Sequence, residues 1–243
     1  MTEALAGLAR SLRTYRLDRA HAAGLQRFYA QFVGPGDLAF DIGAHVGDRV
    51  AAFRALGARV VAVEPQRLLM RALRLLHGRD RGVTLVRAAA GAEPGAARLL
   101  LNRANPTVAT LDSAFVDAAA DAEGWAGQVW SGAEATPVVT LDALIARHGA
   151  PAFVKIDVEG WEAAALAGLS APPPALSFEV TAIGRGAGLA ALERAAALGY
   201  RAFRLSLGES HVWAGDWTGP ETMAARLAAF PDRANSGDVY CRR

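Results

Sequence analysis

The run Leu38-Ala-Phe-Asp-Ile-Gly-Ala-His-Val-Gly-Asp48, followed by Arg59-Val-Val-Ala-Val-Glu-Pro65, constrains this chain more than any other feature. It predicts a buried strand over 38–42, a glycine turn, a helix over Val46–Leu56 stopped by Gly57, and a second strand ending in an acid. Gly43 lets the backbone turn sharply without a Cβ clash, and Gly47 would let the next helix lie close to the sheet. Asp41 falls at the end of the first strand. Glu64 stands 21 residues after Gly43, where a βαβ nucleotide site places the carboxylate that accepts ribose hydroxyls. Position 45 is His, so the turn is not G-x-G-x-x-G. A pyrophosphate needs backbone to approach along that whole loop. A ligand with a ribose but no phosphate fits Gly43, Ala44, His45 and Gly47 better. Glycine turns and acids after strands also occur in plain α/β proteins, so the motif needs support from elsewhere in the chain.

At 243 residues one domain with a substantial core is expected. No uninterrupted apolar run reaches the roughly 18 residues of a membrane span. Residues 1–33 alternate Leu, Ala and Phe with many Arg and predict a helical extension on a domain covering 34–243. They lack the continuous apolar core and small-residue cleavage site of a secretory signal, and Glu3 and Asp18 argue against a transit peptide. Cys241 is the single cysteine, which excludes an intrachain disulfide and a Cys-cluster metal site and suits a reducing cytoplasm. The net charge is only +2 and the arginines are scattered. The densest group, Arg67, Arg71, Arg74, Arg79 and Arg81, reads as a solvated helix face, which argues against a nucleic-acid partner.

Further strands are predicted over Val83–Arg87, Ala96–Asn102, Pro137–Leu141, Ala152–Asp157, Ala175–Val180, Tyr200–Leu205 and Gly237–Arg242. Helices are predicted over Leu111–Ala120, up to His148 with Asp142 as the cap, and over Trp161–Leu169, Leu189–Leu198 and Glu221–Ala229. Strands alternating with helices give an α/β, doubly wound, mostly parallel sheet. The weakly patterned stretches 103–136 and 208–231 read as insertions on the substrate side.

Phe153-Val-Lys-Ile-Asp-Val-Glu-Gly-Trp-Glu162 is the second constraint. Alternation along a strand puts Lys155 and Asp157 on one face and Val154 and Ile156 on the other. Charges in an apolar strand are costly unless they have partners or a task. Asp157 falls at the strand's C-terminal end, where open α/β sheets bind ligands. Glu162 in the first helical turn serves either the helix dipole or the site. The chain holds 25 Arg and one Lys, Lys155. Arg and Lys differ in geometry, hydration and ease of deprotonation, so a lone ammonium here marks a site that resists the swap, or a structural pair with a carboxylate.

In these residues the chain resembles the FkbM family of S-adenosylmethionine-dependent methyltransferases. The resemblance rests on Phe40–Gly47, Val63-Glu-Pro65, Val139-Thr-Leu-Asp142, Val154–Glu162 and Leu176-Ser-Phe-Glu-Val180, in order along the chain. It implies a seven-stranded Rossmann-like sheet and O-methylation of a small molecule, sugar or hydroxylated natural product. Two positions depart from the family: His45 stands where Asn is usual, and Ala92 where Asp or Asn is usual, which removes a polar contact to adenine.

The resemblance implies that Glu64, with Pro65 after it, accepts from the ribose diol, and that the Gly43–Gly47 backbone skirts the methionine end. Asp41 would accept from the methionine ammonium. Ala89 and Ala90 would leave a slot for adenine, or simply pack. An attacking alcohol must lose its proton. Asp157 would position donor or acceptor, with Glu159 or Glu179 as base, and Lys155 would lower a hydroxyl pKa or hold a carboxylate in register. His211 is a rival base or a packing residue. Asp157, Glu159, Glu162 and Glu179 also form an oxygen donor set of the kind Mg²⁺ takes. Trp125, Trp130, Trp213 and Trp217 line an acceptor or anchor loops. The alternatives are a catalytically silent cofactor-binding module and, with less support, an NAD-dependent oxidoreductase. No motif encodes the acceptor's identity or an oligomeric state.

Overall fold

The computed structural model describes residues 2–243. Two helices lead the chain, α1 (Glu3–Arg16) and α2 (Arg19–Tyr29). The first βαβ unit is β1 (Leu38–Ile42), α3 (Asp48–Ala55) and β2 (Arg59–Val63), followed by α4 (Arg67–His77) and β3 (Val83–Val86). Then come β4 (Ala89–Ala90), β5 (Gly95–Leu101), α5 (Ser113–Ala120), β6 (Gly132–Val139) and α6 (Leu141–His148). The second half holds β7 (Phe153–Ile156), α7 (Glu162–Ala167), β8 (Ala175–Thr181), α8 (Arg185–Ala197), β9 (Ala202–Leu207), α9 (Pro220–Ala228) and β10 (Ser236–Arg242).

Seven strands form one sheet in the order β3-β2-β1-β7-β8-β10-β9. The first five are parallel, and β10 runs antiparallel between β8 and β9. The expected α/β doubly wound sheet is therefore present. The chain winds outward from β1 to β3 and returns to start β7 on the other side of β1. That reversal opens a crevice at the carboxyl ends of β1 and β7, the place where such sheets bind ligands.

Strand alternation explains the two core layers. Phe40, Ile42, Val154 and Ile156 face α6 to α9, where Leu144, Leu166, Leu192 and Leu227 are buried. Ala39, Val60, Ala62 and Phe153 face α2 to α4 and meet Leu25, Tyr29, Phe53 and Leu73. Asp41 and Lys155 belong to this second face and are direct register partners. Burying such faces, at about 25 cal/mol per Å² of apolar surface, is the main force holding the layers. Arg67, Arg71, Arg74, Arg79 and Arg81 are exposed, as a solvated face requires. No helix among the described residues is long and apolar enough to cross a membrane.

Several boundaries move. The helix expected from Val46 begins at Asp48, because Gly47 takes a left-handed φ of 77° and serves as its N-cap. A Cβ at Gly47 would lie 2.8 Å from Leu73 and 2.9 Å from His77, so that glycine admits α4 rather than the sheet. The strands expected at Ala96–Asn102 and Pro137–Leu141 are β5 and the end of β6. They form a separate three-stranded sheet, β4-β6-β5, not part of the main one. Thr140, not Asp142, caps α6 by accepting from Ala143 N at 3.1 Å; Asp142 instead accepts from Ser170 N. Ala89 and Ala90 lie on β4, paired with Val138 and Val139, beyond the end of the third strand.

Candidate active site

A cavity of about 490 Å³ opens at the carboxyl ends of β1, β2, β7 and β8, within the range of small-molecule sites. Of the residues singled out from the sequence, Asp41, Gly43, Ala44, His45, Glu64, Pro65, Ala89, Ala90, Lys155, Asp157, Glu159 and Glu179 all line it. Gly47 does not; its part is to cap α3.

The turn after β1 is shaped by two constraints. Gly43 has φ 87°, and a Cβ there would sit 1.8 Å from the Asp157 carbonyl oxygen, inside any contact distance. Only glycine lets the two motifs touch. The next residues wrap Glu64: its carboxylate, 2 % exposed, accepts from His45 N at 2.9 Å and from Gln66 N at 2.8 Å. Burial pushes the Glu64 carboxyl up to about 8 despite those two donors. Asp41 is buried with Oδ2 unpartnered, and burial raises it to about 7. Two carboxyls at the tips of adjacent strands are thus dry and short of cationic or hydroxyl partners. The His45 ring turns away from Glu64: its Nε2 meets Ser11 Oγ at 3.0 Å.

On the other bank, Lys155 is 1 % exposed and bonds Asp157 Oδ2 at 3.1 Å and Asp238 Oδ1 at 2.6 Å. Burial alone would lower the ammonium pKa, but the two carboxylates outweigh it and hold it well above the ordinary value. Lys155 is therefore a fixed cation with two acids, which is the carboxylate pair left open by the sequence. Burial would raise Asp157, yet Lys155 and Arg49 keep it below its usual value. Asp238 is anchored further by Tyr240 Oη at 3.5 Å, which meets Tyr29 Oη at 3.3 Å.

Asp157, Glu159 and Glu179 each bring a carboxylate oxygen to within 4.8 Å of the others. Burial, then the charge of Asp157, raises both Glu159 and Glu179 well above their ordinary values. Glu159 sits at a left-handed φ of 54°, and its carbonyl accepts from Thr110 Oγ1 at 2.6 Å, which fixes the turn. Glu162 does not join the group. Its oxygens accept from Val158 N at 2.9 Å and Gly160 N at 3.0 Å, so it serves the turn before α7. Three of the four carboxylates expected for a Mg²⁺ set thus converge, and the fourth is committed to backbone.

His211 lies off this cavity, where burial lowers it to about 4. Its ring, His21 and Glu209 cluster within 4.8 Å, but Asp48 already holds His21 and Arg49 holds Glu209, so a cation is built in. Trp213 and Trp217 also miss the cavity. Trp213 packs 4.7 Å from Phe28, and the guanidinium of Arg204 lies 4.6 Å over its ring. Trp130 donates to Val108 O at 2.8 Å and acts as a loop anchor. Trp125 is buried against Phe115 and reaches the cavity wall. Sequence reasoning missed Tyr15, Arg49, Trp161 and Asp238. Trp161 lies inside the second motif and Arg49 directly after the first, which was signal enough to find them; Tyr15 and Asp238 arrive through tertiary packing.

The Methyltransferase FkbM domain family matches residues 41–188, 148 of the 243 residues. No curated protein matches the chain. Among solved structures, the chain is similar to a TehB-like SAM-dependent methyltransferase from Corynebacterium glutamicum, at 13 % identity and TM-score 0.45, covering 97 % of this chain and 98 % of that one. It is also similar to the C-terminal domain of precorrin-6Y C5,15-methyltransferase from Rhodobacter capsulatus, at 14 % identity and TM-score 0.45, over 89 % and 85 % of the two chains. Aeropyrum pernix fibrillarin, in complex with natively bound S-adenosyl-L-methionine, is similar at 10 % identity and TM-score 0.43, over 86 % and 68 %. By sequence across more than half its length, the chain belongs to the FkbM family of S-adenosylmethionine-dependent methyltransferases.

Proposed function

We propose that the chain transfers the methyl group of S-adenosylmethionine to a hydroxyl oxygen of a small molecule or sugar. One observation carries this reading: a single cavity joins two dry acids at the β1 and β2 tips to a Lys155-braced group of three carboxylates at the β7 and β8 tips. Glu64 suits a ribose diol, Asp41 suits the methionine ammonium, and Ala88, Ala89 and Ala90 suit the flat face of adenine. Asp41, Gly43, Ala44, His45, Glu64, Pro65, Ala89 and Ala90 would thus hold the donor.

The sulfonium is already reactive, so the protein's task is to align the acceptor oxygen with the methyl carbon and to take one proton. As the O–C bond forms the C–S bond breaks, S-adenosylhomocysteine leaves, and the hydroxyl proton passes to a carboxylate. Glu159 and Glu179 are the candidates for that base: a carboxyl that stays protonated to higher pH is a stronger base once ionised, typically worth about 10²–10⁴-fold. Asp157, held ionised by Lys155, is kept for positioning. A second reading has an observation of its own, since Asp157, Glu159 and Glu179 are close enough to hold Mg²⁺, which would supply acidity to the acceptor hydroxyl.

The test is calorimetry with S-adenosylhomocysteine, followed by methyl transfer from labelled donor to a panel of sugars, phenols and aliphatic alcohols, with and without chelator. Micromolar binding and chelator-insensitive ether formation are expected. Absence of binding at millimolar ligand would remove the reading; activity lost to chelator and restored by Mg²⁺ would select the second.

A further inference from the structure

The helix α1 contributes nothing to the three apolar core clusters, and only Gly7 and Ser11 are buried along its length. Apart from its packing on α2, its contacts go to the rims of the cavity. On one bank, Ser11 Oγ meets His45 Nε2 at 3.0 Å, and Arg16 Nη1 donates to Gly47 O at 2.9 Å. The Tyr15 ring stands edge-on to His45 with centroids 5.4 Å apart and itself lines the cavity. On the other bank, Arg10 Nη1 donates to Ala104 O at 3.3 Å. There Gly7 packs so closely that a Cβ would fall 2.8 Å from the Arg103 and Ala104 carbonyls and 3.0 Å from Pro106. The helix thus spans the gap between the glycine turn and the Asn105–Val108 wall, above the half of the cavity that holds Glu64. It also lies outside residues 41–188, the span that the family model matches.

We infer that α1 is a movable roof over the donor, with Ser11 and Tyr15 as positioning residues, and that it lifts to admit S-adenosylmethionine and release S-adenosylhomocysteine. This rests on the donor occupying the Glu64 half of the cavity. An isolated helix of this length is marginal in water, and a segment with few buried apolar contacts belongs to the low-stability end of a structure. Exposed Leu17 joins α1 to α2, and α2 begins firmly, with Asp18 accepting from Ala20 N and His21 N. Motion that ends at residues 17–18 gives up the edge contact of Tyr15 with His21, centroids 6.1 Å apart, and leaves the Asp18 cap of α2 in place. With the roof down, Tyr15 faces the same space as Asp41 and His45 is pinned by Ser11, so the turn that carries the His45 N–H to Glu64 is held in place.

The experiment uses the full-length protein and S-adenosylhomocysteine as probe. Tryptic cleavage after Arg10, Arg13 and Arg16 should slow by about tenfold or more at saturating probe, as expected where cleavage follows the open population. Gly7→Leu, which wedges α1 off the Arg103–Pro106 segment, and Tyr15→Ala should each speed probe release in stopped-flow displacement. About tenfold is expected, the equivalent of one or two net hydrogen bonds. KM for the donor should rise more than kcat falls, and the melting temperature of the free protein should hold, because α1 lies outside the core. If Gly7→Leu does not fold, Tyr15→Ala and the wild-type protection assay still decide. Probe that binds wild type without shielding Arg10–Arg16, and leaves both variants at the wild-type rate, overturns the roof and spares the proposed function. Failure of wild type to bind the probe overturns both.

Discussion

The two banks of the cavity bury acids in opposite ways. At the donor bank, Glu64 has a backbone N–H on each carboxylate oxygen, and no cation touches it. At the acceptor bank, Glu159 and Glu179 have no such donors, while Asp157 and Asp238 share a buried ammonium. Backbone donors fix a carboxylate's direction and leave it ready to accept, which suits holding a ligand. Burial and the neighbouring charge of Asp157 make Glu159 and Glu179 hold their protons to higher pH than ordinary carboxyls, which suits moving one. On the proposed function the contrast divides binding from chemistry within a single hollow, and substitutions should respect that division.

The largest effect is expected at the acceptor bank. Glu159→Gln and Glu179→Gln should split: whichever residue takes the proton loses about 10²–10⁴-fold in kcat while S-adenosylhomocysteine still binds in calorimetry. Full turnover in both variants would break the division. Lys155→Met comes next. It strands Asp157 and Asp238 without a counter-charge and should cost about 3–5 kcal/mol of stability in urea unfolding. Lys155→Arg keeps the charge but not the compact geometry, so donor binding should survive and turnover fall; normal turnover would show that any cation suffices.

A smaller, purely binding effect is expected at the donor bank. Glu64→Ala removes an acceptor of charge-assisted hydrogen bonds, each worth about 1.5–3 kcal/mol, so Kd for S-adenosylhomocysteine should rise on the order of 10–100-fold with kcat at saturation less affected. Loss of kcat with unchanged Kd would reverse the roles of the banks. The gentlest test is pH. In the free protein the Glu64 carboxyl titrates at about 8, above its ordinary 4.5. Its contribution to stability is therefore fully present below about pH 4.5 and lost as pH rises through 8. A ribose diol needs the ionised form. Affinity should then climb with pH from 6 to 8, by at most about tenfold per unit for one proton, with a proton released on binding. Flat affinity and no proton release would place the diol elsewhere.

Much of this was legible in the residues. Leu38–Ile42 is the strand expected, Gly57 stops α3 with φ 84°, and twelve of the thirteen singled-out site residues face one cavity, because glycine turns and strand alternation are local rules. What escaped is what locality cannot carry. Asp238 reaches Lys155 from 83 residues away, through an antiparallel strand inserted beside β8. The β5–β6 pair was half missed because Gly132–Thr136 carries only Ala as apolar side chains, with Ala133 and Ala135 exposed and Thr136 the one buried residue. Trp213 and Trp217, as plausible for an acceptor wall as Trp125, pack elsewhere: Trp213 on Phe28, Trp217 on Trp213, each beneath an arginine. The helical extension was predictable as helix, but its place is set by tertiary contacts of Gly7, Arg10, Ser11 and Arg16 that no local pattern carries.

The contact between Gly43 and the Asp157 carbonyl has a consequence for how such proteins diversify. Because main chain rests on main chain there, the spacing between the donor's shelf and the acceptor's shelf is set before any side chain is chosen. On the proposed reading, loops around the rim can then be rewritten for new acceptors while the line of attack stays aligned. A bulkier residue at position 43 would spoil every acceptor alike.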